Sequence, residues 1–237
     1  MQQNEVKIVD FLLNRGFTIY GICGLMGNLF AESGLKPNNL QNAYEKTLGY
    51  TDEEYTKAVD NGSYTREQFI NDSAGYGLAQ WTYWSRKRDM YDYIKGDSEN
   101  PCDASIADLK EQLCFLCYEL EKCYPAVYKQ LQTSTSLLES TKIVLEQYEK
   151  PANMSKAVLE ARLSYAEGYY KRATDTSCAE DVVIEEKPCE CGCSCNCEGK
   201  ECVCETVVEK EADDEDTIYM NILVRGKRYA GTLYPVD

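Results

Sequence analysis

The chain has no histidine among its 237 residues. This absence excludes Ser-His-Asp and Cys-His nucleophile systems, the HExxH metal site and most catalytic zinc sites, because each of them requires an imidazole. If the protein is a hydrolase, carboxyl groups are therefore expected to carry out its proton transfers.

Long apolar runs are also missing. No stretch approaches the roughly 18 apolar residues that a membrane span needs, so we expect no membrane insertion. The opening stretch, MQQNEVKIVDFLLNRG, has neither the basic start nor the unbroken apolar segment of a signal peptide. We therefore expect a soluble protein that is made in the cytoplasm and needs separate delivery if it acts elsewhere.

Positive charge is scarce and unevenly distributed. The net charge is −15; residues 1–174 hold 19 Lys and Arg against 24 Asp and Glu, whereas residues 175–216 hold 3 against 15. The acidity thus belongs mainly to residues 175–216. Since no stretch supplies the basic face that neutralises phosphates, we expect no nucleic-acid partner.

Residues 1–174 show apolar residues at three- and four-residue spacing, which predicts a helical domain with a sizeable core. We expect helices at about 3–15, 18–33, 84–95, 104–122, 124–131, 135–149 and 155–173. The polar stretch 36–74 contains Asn61-Gly62, a pair typical of hairpin turns. The expected fold class is therefore mainly α (α+β), with a small β-hairpin lobe interrupting the helices.

The composition changes abruptly after Arg172. Residues 175–216 hold eight of the thirteen cysteines and the acidic run EKEADDED, with few apolar residues to stabilise order. We predict a Cys-rich acidic linker over 175–216. Residues 217–237, TIYMNILVRGKRYAGTLYPVD, alternate like a strand pair, so we predict a short C-terminal β-hairpin there. Because such a hairpin alone is marginally stable, it is expected to need a partner.

A single carboxyl group, Glu32, closes the run GLMGNLFAES just before the helix-stopping Gly34. It is either a solvated residue of a last turn or a catalytic acid. On a helical wheel, Gly21, Leu25 and Asn28 share its face, which is small or apolar. That environment and the negative end of the helix dipole both disfavour a carboxylate, so they would keep a proton on Glu32.

A second stretch, GYGLAQW, contains residue types that bind sugars through hydrogen bonds and ring stacking, namely Tyr76, Gln80 and Trp81. The alternative is a Gly-rich turn with aromatic core residues behind it. A third stretch, YEKPA, places Tyr148 at a helix end before Pro151.

Taken together, GLMGNLFAESGLKPNN, GYGLAQW and YEKPA with the later ARLSYA resemble the phage tail lysozyme family. This family is related to goose-type lysozymes and lytic transglycosylases, and the resemblance covers roughly residues 5–172. It implies a lysozyme-like helical domain that binds peptidoglycan. The implied reaction is cleavage of the β-1,4 bond between N-acetylmuramic acid and N-acetylglucosamine, in a glycoside hydrolase of the muramidase type that needs no cofactor.

The resemblance also implies roles for particular residues. Glu32 matches the glutamate that donates a proton to the glycosidic oxygen. Tyr76, Gln80 and Trp81 match a stretch that lines the substrate cleft, and Tyr148 resembles a tyrosine close to the catalytic glutamate. The protein would act on the cell wall after holin-type release or as part of a virion, with a virion tail or cell-wall partner for the C-terminal hairpin.

The second carboxylate of such a site is less clear from the sequence. A glycosidase usually pairs two carboxyl groups, and Asp72, just before SAGYGLAQ, is the candidate that we select. Asp72 could equally be an ordinary Asx-turn residue. If no second acid assists, the substrate's own 6-hydroxyl could attack, which would make the protein a lytic transglycosylase with an anhydro product.

The cysteines of residues 175–216 form a separate candidate site. Adjacent thiolates in Cys-x-Cys spacing suit zinc or another soft metal, and the candidate ligands are Cys189, Cys191, Cys193, Cys195, Cys197, Cys202 and Cys204. The alternatives are disulfides formed after release, or thiols that stay free in a reducing setting.

Three classes of function therefore remain open: a peptidoglycan glycosidase, a glycan-binding or structural protein of a virion tail, and a thiol-rich metal-binding protein. Pure glycan binding gains nothing from a protonated acid at Glu32, and the Cys-x-Cys residues are confined to the predicted linker. The sequence therefore favours the glycosidase.

Overall fold

The computed structural model describes residues 3–96, 102–174, 218–224 and 227–233. The chain divides into two compact units, Met1–Thr174 and Asp175–Asp237. The first unit is helical in its described part, which agrees with the expected mainly α class.

Ten α-helices and one π-helical segment follow one another in the described part of the first unit. They are α1 (Gln3–Leu13), α2 (Ile19–Ser33), α3 (Asn42–Leu48), α4 (Asp52–Asp60), α5 (Arg66–Asn71), α6 (Trp84–Lys95), α7 (Leu109–Cys123), α8 (Pro125–Thr133), α9 (Leu137–Ile143), the π segment (Val144–Glu149) and α10 (Lys156–Thr174).

Each of the seven helices expected from apolar spacing is present, with ends that differ by a few residues. The one expected over 135–149 is divided, because α9 passes directly into the π segment. Such wider turns are frequent at functional sites.

The prediction of a β-hairpin lobe at residues 36–74 was wrong, because this stretch contains the helices α3, α4 and α5 instead. Two capping boxes start the last two of these helices, Thr51 with Glu54 and Thr65 with Gln68. Asn61 ends α4, and Gly62 follows with a φ of 77°, so the Asn-Gly pair closes a helix rather than a hairpin. Isolated bridges join Tyr76 to Leu40 and Trp81.

The core of the first unit surrounds α2, which is buried along most of its length. This helix packs most extensively against α10 and α9. Because its mean hydropathy is high and it carries few polar side chains, α2 is stabilised by contacts on nearly all sides rather than along one stripe.

The second unit contains two described strands, β1 (Ile218–Val224) and β2 (Lys227–Leu233). They pair antiparallel, with Ile218 opposite Leu233 and Val224 opposite Lys227.

Candidate active site

A cleft of about 440 Å³ opens beside the C-terminal end of α2. The helix begins where the Gly21 N–H donates to Thr18 Oγ1 at 3.1 Å, and it ends at Gly34, whose φ is 63°. Glu32 therefore stands in the last turn, at the cleft. The complete lining is Glu32, Gln41, Ala79, Gln80, Thr82, Tyr83, Arg86, Glu149 and Pro151.

The glycines of α2 let neighbouring helices approach it closely. A Cβ on Gly24 would lie 2.6 Å from the Ser140 Cβ, and one on Gly27 would lie 2.5 Å from the Arg162 carbonyl oxygen. The small-residue character of this helix therefore serves packing against α9 and α10. It does not create an apolar pocket around Glu32.

The Glu32 carboxylate is instead bound by a cation from α10. Arg162 Nη2 lies 2.5 Å from Glu32 Oε1, and the Glu32 side chain is 24% exposed. Arg162 Nη1 also donates to the backbone oxygen of Asn28 at 3.2 Å, while the Asn28 amide donates to Thr141 O at 3.1 Å. The guanidinium thus fixes the position of Glu32 and stabilises its negative charge.

The residue after Glu32 connects α2 to the turn that carries Gln80. Ser33 Oγ donates to the Leu78 carbonyl at 2.8 Å, and the Leu78 N–H donates to the buried Gln112 Oε1 at 2.9 Å. Gln80 lines the cleft with a positive φ of 45°, and its Nε2 donates to the Asn39 backbone oxygen at 2.9 Å. The structure therefore brings Gln80 and Glu32, two residues selected from the sequence, to the same cleft.

A second carboxyl group of the cleft belongs to Glu149, the last residue of the π segment. Its Oε1 is buried and has no hydrogen-bond partner among the described residues. Burial, followed by the negative charge of Glu32, raises the pKa of Glu149 to about 8, although Arg86 and Arg162 act in the opposite direction. Two carboxyl groups in unlike environments therefore share one cleft.

The buried Glu119 accepts hydrogen bonds from three side chains near the cleft. Arg86 Nε and Nη2 donate to it at 2.6 and 2.9 Å, Trp81 Nε1 at 3.0 Å and the Tyr148 hydroxyl at 2.7 Å. Although burial alone would raise the pKa of Glu119, the hydrogen bonds and charge of Arg86 and the two further donors lower it. Arg86 thus binds Glu119 through Nε and Nη2 while it also lines the cleft.

This network explains the position of two residues that were predicted to bind substrate. Trp81 and Tyr148 are buried, and each uses its polar atom on Glu119. Burial and the charge of Glu119 raise the pKa of Tyr148. Both residues support the floor of the cleft and do not line it.

Tyr76 lies in the core as well. It is buried, its hydroxyl lies 2.5 Å from Thr56 Oγ1, and its ring packs near those of Tyr55 and Phe69. Here the alternative interpretation of GYGLAQW, aromatic core residues behind a Gly-rich turn, describes the observed placement of Tyr76 and Trp81.

Asp72, the candidate second acid, does not line the cleft either. Its side chain is 3% exposed and forms an ion pair with the buried Lys87 Nζ at 2.5 Å. The hydroxyls of Tyr55 and Tyr64 donate to Oδ2 at 2.5 and 3.3 Å, and the Ala74 N–H donates to Oδ1 at 2.9 Å. Both oxygens are therefore occupied by protein donors, as in a structural ion pair.

Sequence reasoning missed Glu149, Arg162, Arg86 and Tyr83 as residues of the site or its support. Glu149 stood in the YEKPA stretch beside Tyr148, so a signal was present for it. Arg162 lies in ARLSYA, 130 residues from its partner Glu32, and no spacing rule connects the two.

The cysteines of the described helical unit are free: Cys23, Cys102, Cys114, Cys117 and Cys123. No cluster of three or more His, Cys, Asp or Glu side chains suited to a metal occurs in the described ranges. The predicted Cys-x-Cys ligands lie outside the described residues. Within the same described part of the chain, no helix is both long enough and apolar enough to cross a membrane.

Comparison with known proteins relates the chain to a phage protein and to a protein family. The chain is 28% identical over 181 residues to Morphogenesis protein 1 of Bacillus phage B103, an alignment that covers 73% of this chain and 40% of the relative. The chain thus spans well under half the length of that relative. The profile of the phage tail lysozyme family matches residues 3–172, which include Glu32, Gln80, Glu149 and Arg162. The chain therefore belongs to the phage tail lysozyme family.

Proposed function

We propose that the protein is a phage or prophage cell-wall lysin that hydrolyses peptidoglycan. The bond cleaved is the β-1,4 bond between N-acetylmuramic acid and N-acetylglucosamine. Family membership supports a lysozyme-like protein, and the cleft beside α2 is the place where this chemistry would occur.

The observation that carries the proposal is the presence of two carboxyl groups, Glu32 and Glu149, in the lining of one solvent-open cleft. Glycosidases use such a pair to protonate the leaving oxygen and to act on the opposite face of the sugar. The chain has no histidine that could take either role. Arg162 holds Glu32 in place, so the site is organised before substrate binds.

Two further residues of the cleft are suited to bind the glycan. Tyr83 is 63% exposed and offers an aromatic face at the rim, against which a sugar ring can stack. Gln80 also lines the cleft, and its Nε2 is occupied by the Asn39 oxygens and the Gly77 carbonyl. Its Oε1 can accept a hydrogen bond from a sugar hydroxyl or an N-acetyl N–H. We therefore assign substrate binding to Gln80 and Tyr83, in addition to the catalytic carboxyl groups.

The test is digestion of purified peptidoglycan by the wild-type chain and by Glu32→Gln, with mass spectrometry of the released fragments. We expect fragments that end in N-acetylmuramic acid, and we expect Glu32→Gln to release them about 10²- to 10⁴-fold more slowly. If the substituted protein digests walls as fast as the wild type, the assignment fails. Glu146→Gln is the matched control, since Glu146 is an exposed residue of the same π segment.

The same spectra separate hydrolysis from transglycosylation. A reducing N-acetylmuramic acid end means that water attacked, whereas a 1,6-anhydro end means that the 6-hydroxyl attacked. A carboxylate fixed in the cleft can accept the proton of either nucleophile, so the cleft supports both reactions, and we propose hydrolysis because a second carboxyl group is present.

A second candidate function is a structural role in a virion tail. It is favoured by the name of the Bacillus phage relative, a morphogenesis protein. The two roles are compatible, because a virion component can also digest the wall during entry. A wild-type chain that binds purified walls but releases no fragments would leave only the structural role.

Residues 175–216 support a separate proposal, a zinc or soft-metal site built from the Cys-x-Cys thiolates. It is tested by measuring zinc per purified chain together with reactive thiols. Bound zinc with protected thiols supports the site, whereas absent zinc with freely reactive thiols contradicts it. We also propose that the C-terminal hairpin contacts a virion tail or cell-wall partner.

A further inference from the structure

Two arginines contact carboxyl groups at the candidate site, and they differ in the hydrogen-bond donors that they can still offer to a ligand. Arg162 does not line the cleft, and its Nη1 and Nη2 are bonded to Asn28 and Glu32. Arg86 does line the cleft, and it binds Glu119 through Nε and Nη2. Arg86 is therefore the arginine whose third nitrogen can serve a ligand.

The third nitrogen of Arg86 is Nη1. No residue that the structure describes accepts a hydrogen bond from it. It is also absent from the buried, unpartnered side-chain atoms of the same part of the chain, and the Arg86 side chain is 23% exposed. Because a guanidinium is planar and carries two N–H groups on Nη1, these donors face the solvent of the cleft while the other edge is bound by Glu119.

The position of Arg86 is fixed before any ligand arrives. Its partner Glu119 is 6% exposed and accepts further hydrogen bonds from Trp81 and Tyr148. The Tyr148 ring lies against the guanidinium, with 4.9 Å between its centroid and Arg86 Cζ. A donor held in this way loses little conformational entropy when it binds a ligand, so it is suited to recognition.

The charges around the cleft balance one another. Arg86 is paired with Glu119, and Arg162 is paired with Glu32. The remaining carboxyl group, Glu149, is favoured in its neutral form, since burial raises its pKa to about 8. The balance favours an uncharged hydrogen-bond acceptor at Nη1, such as an acyl oxygen, over an additional anion.

We propose that Arg86 is a substrate-binding residue whose Nη1 donates a hydrogen bond to an acyl oxygen of the glycan. This assignment rests on the proposed glycosidase function and names a group of the substrate that the cleft recognises. Peptidoglycan carries two uncharged acyl oxygens of this kind. One is the N-acetyl carbonyl of each sugar, and the other is the lactyl carbonyl of N-acetylmuramic acid, which an amide bond joins to the stem peptide.

Three uncharged tetrasaccharides distinguish these two groups. The first is the wall tetrasaccharide with each lactyl carboxyl group capped as its methylamide, so that it carries both acyl oxygens. The second is the β-1,4 tetramer of N-acetylglucosamine, which lacks the lactyl group. The third is the β-1,4 tetramer of glucose, which lacks both groups. Dissociation constants are measured by isothermal titration calorimetry in the Glu32→Gln background, which we expect not to cleave the probes appreciably.

Arg86→Lys, added to this background, keeps a cation beside Glu119 and removes Nη1. We expect it to weaken binding of the wall tetrasaccharide by about 10- to 100-fold, as for the loss of a hydrogen bond from a charged donor. Binding of the glucose tetramer should not change. The N-acetylglucosamine tetramer should weaken with the wall probe if Nη1 binds the N-acetyl carbonyl, and should be unaffected if Nη1 binds the lactyl carbonyl.

Arg66→Lys is the matched control. Arg66 also binds a carboxylate through Nε and Nη2, at 2.7 Å each from Asp92, but it does not line the cleft. The same substitution there should leave all three dissociation constants unchanged.

Three results would overturn the assignment. The first is an Arg86→Lys variant that binds the wall tetrasaccharide as tightly as its parent. The second is an equal loss of affinity for all three probes, which would indicate a general distortion of the cleft. The third is a parent that binds none of them. Digestion of walls by the wild-type chain is scored separately: a chain that shows the expected binding pattern but releases no fragments contradicts the proposed hydrolysis and not the role of Arg86.

A crystal structure of Glu32→Gln with the wall tetrasaccharide avoids any change at Arg86. It should show an acyl oxygen within about 3.2 Å of Arg86 Nη1. A bound sugar that leaves Nη1 in solvent, or that meets it only with hydroxyl or ring oxygens, contradicts the proposal.

Discussion

Two regions of the helical unit contain carboxyl groups with opposite surroundings. The Asp72 cluster, formed by Asp72, Lys87, Tyr55 and Tyr64, gives both carboxylate oxygens protein donors and seals them from solvent. The cleft pair, Glu32 and Glu149, lines a solvent-open cleft, and one buried oxygen of Glu149 has no hydrogen-bond partner within the described part of the chain.

Buried carboxyl groups with a structural role differ from those with a functional role in how their oxygens are bonded. A carboxylate whose two oxygens both accept hydrogen bonds from the protein has no need of a ligand, and it stabilises the packing of the elements that it joins. A carboxyl group left unsatisfied at a cleft retains capacity for a substrate or a proton. Asp72 belongs to the first kind and Glu149 to the second, although the sequence drew attention to Asp72.

The largest stability effect is expected for the Asp72 cluster. Asp72→Asn removes the negative charge that faces the buried Lys87 Nζ. Burial lowers the pKa of Lys87, and the charge of Asp72 partly offsets this effect. Breaking a buried pair in this way typically costs about 3–5 kcal/mol. The free energy of unfolding from urea titration should fall by that amount.

The double variant Asp72→Asn with Lys87→Met serves as the control. It removes both charges, so it should recover part of the lost stability. A single variant that is as stable as the wild type would contradict the sealed-cluster interpretation.

The contrast also indicates what the sequence alone can supply. Apolar spacing located the long helices, and the run ending at Glu32 pointed to one residue of the cleft. The Thr51–Glu54 and Thr65–Gln68 capping boxes were local signals for α4 and α5, whereas the hairpin prediction rested on the Asn61-Gly62 pair.

The environment of each carboxyl group could not be read in this way. It depends on partners far along the chain, such as Arg162 for Glu32 and Lys87 for Asp72. A helical wheel describes only the residues of its own helix, so it suggested small and apolar neighbours for Glu32 and missed the cation on α10. The role of each carboxyl group therefore depends on ion pairs with distant residues, which the local sequence pattern does not show.

The contact between Glu32 and Arg162 depends on the close approach of α2 and α10. Gly27→Ala would set a Cβ 2.5 Å from the Arg162 carbonyl oxygen, and we expect this overpacking to lower stability by about 1–3 kcal/mol. Gly168→Ala on α10 is the matched control, since its Cβ would lie 3.4 Å from Nη1 of the flexible Arg172 side chain, an ordinary van der Waals distance. Thermal unfolding should separate the two, with Gly168→Ala neutral or slightly stabilised. Equal losses in both variants would argue against the packing role of Gly27.

A further effect, modest per pH unit, should appear in the pH dependence of stability. The pKa of Glu149 is raised in the folded chain from 4.5 to about 8, so the folded state holds one more proton than the unfolded state between those values. Stability from this group is present below about pH 4.5 and is lost as the pH rises through about 8. One proton contributes a slope of up to about 1.4 kcal/mol per pH unit.

Urea unfolding at pH 5, 6, 7 and 8 measures that slope, and Glu149→Gln should lack it. The window is favourable because the chain has no histidine to titrate within it. The remaining thiols and the N-terminal amine are common to both proteins, so they cancel in the comparison. Identical slopes in the two proteins would contradict a protonated Glu149.

The most direct test of the account compares the two kinds of carboxyl group in one experiment, with activity expressed per folded molecule. Glu32→Gln and Asp72→Asn are each measured for the midpoint of thermal unfolding and for the rate of fragment release from purified peptidoglycan. We expect a crossed pattern: Glu32→Gln stays folded and loses cleavage, whereas Asp72→Asn loses stability and keeps the wild-type rate in its folded fraction. A folded Asp72→Asn that cannot cleave, beside a Glu32→Gln that can, would contradict it.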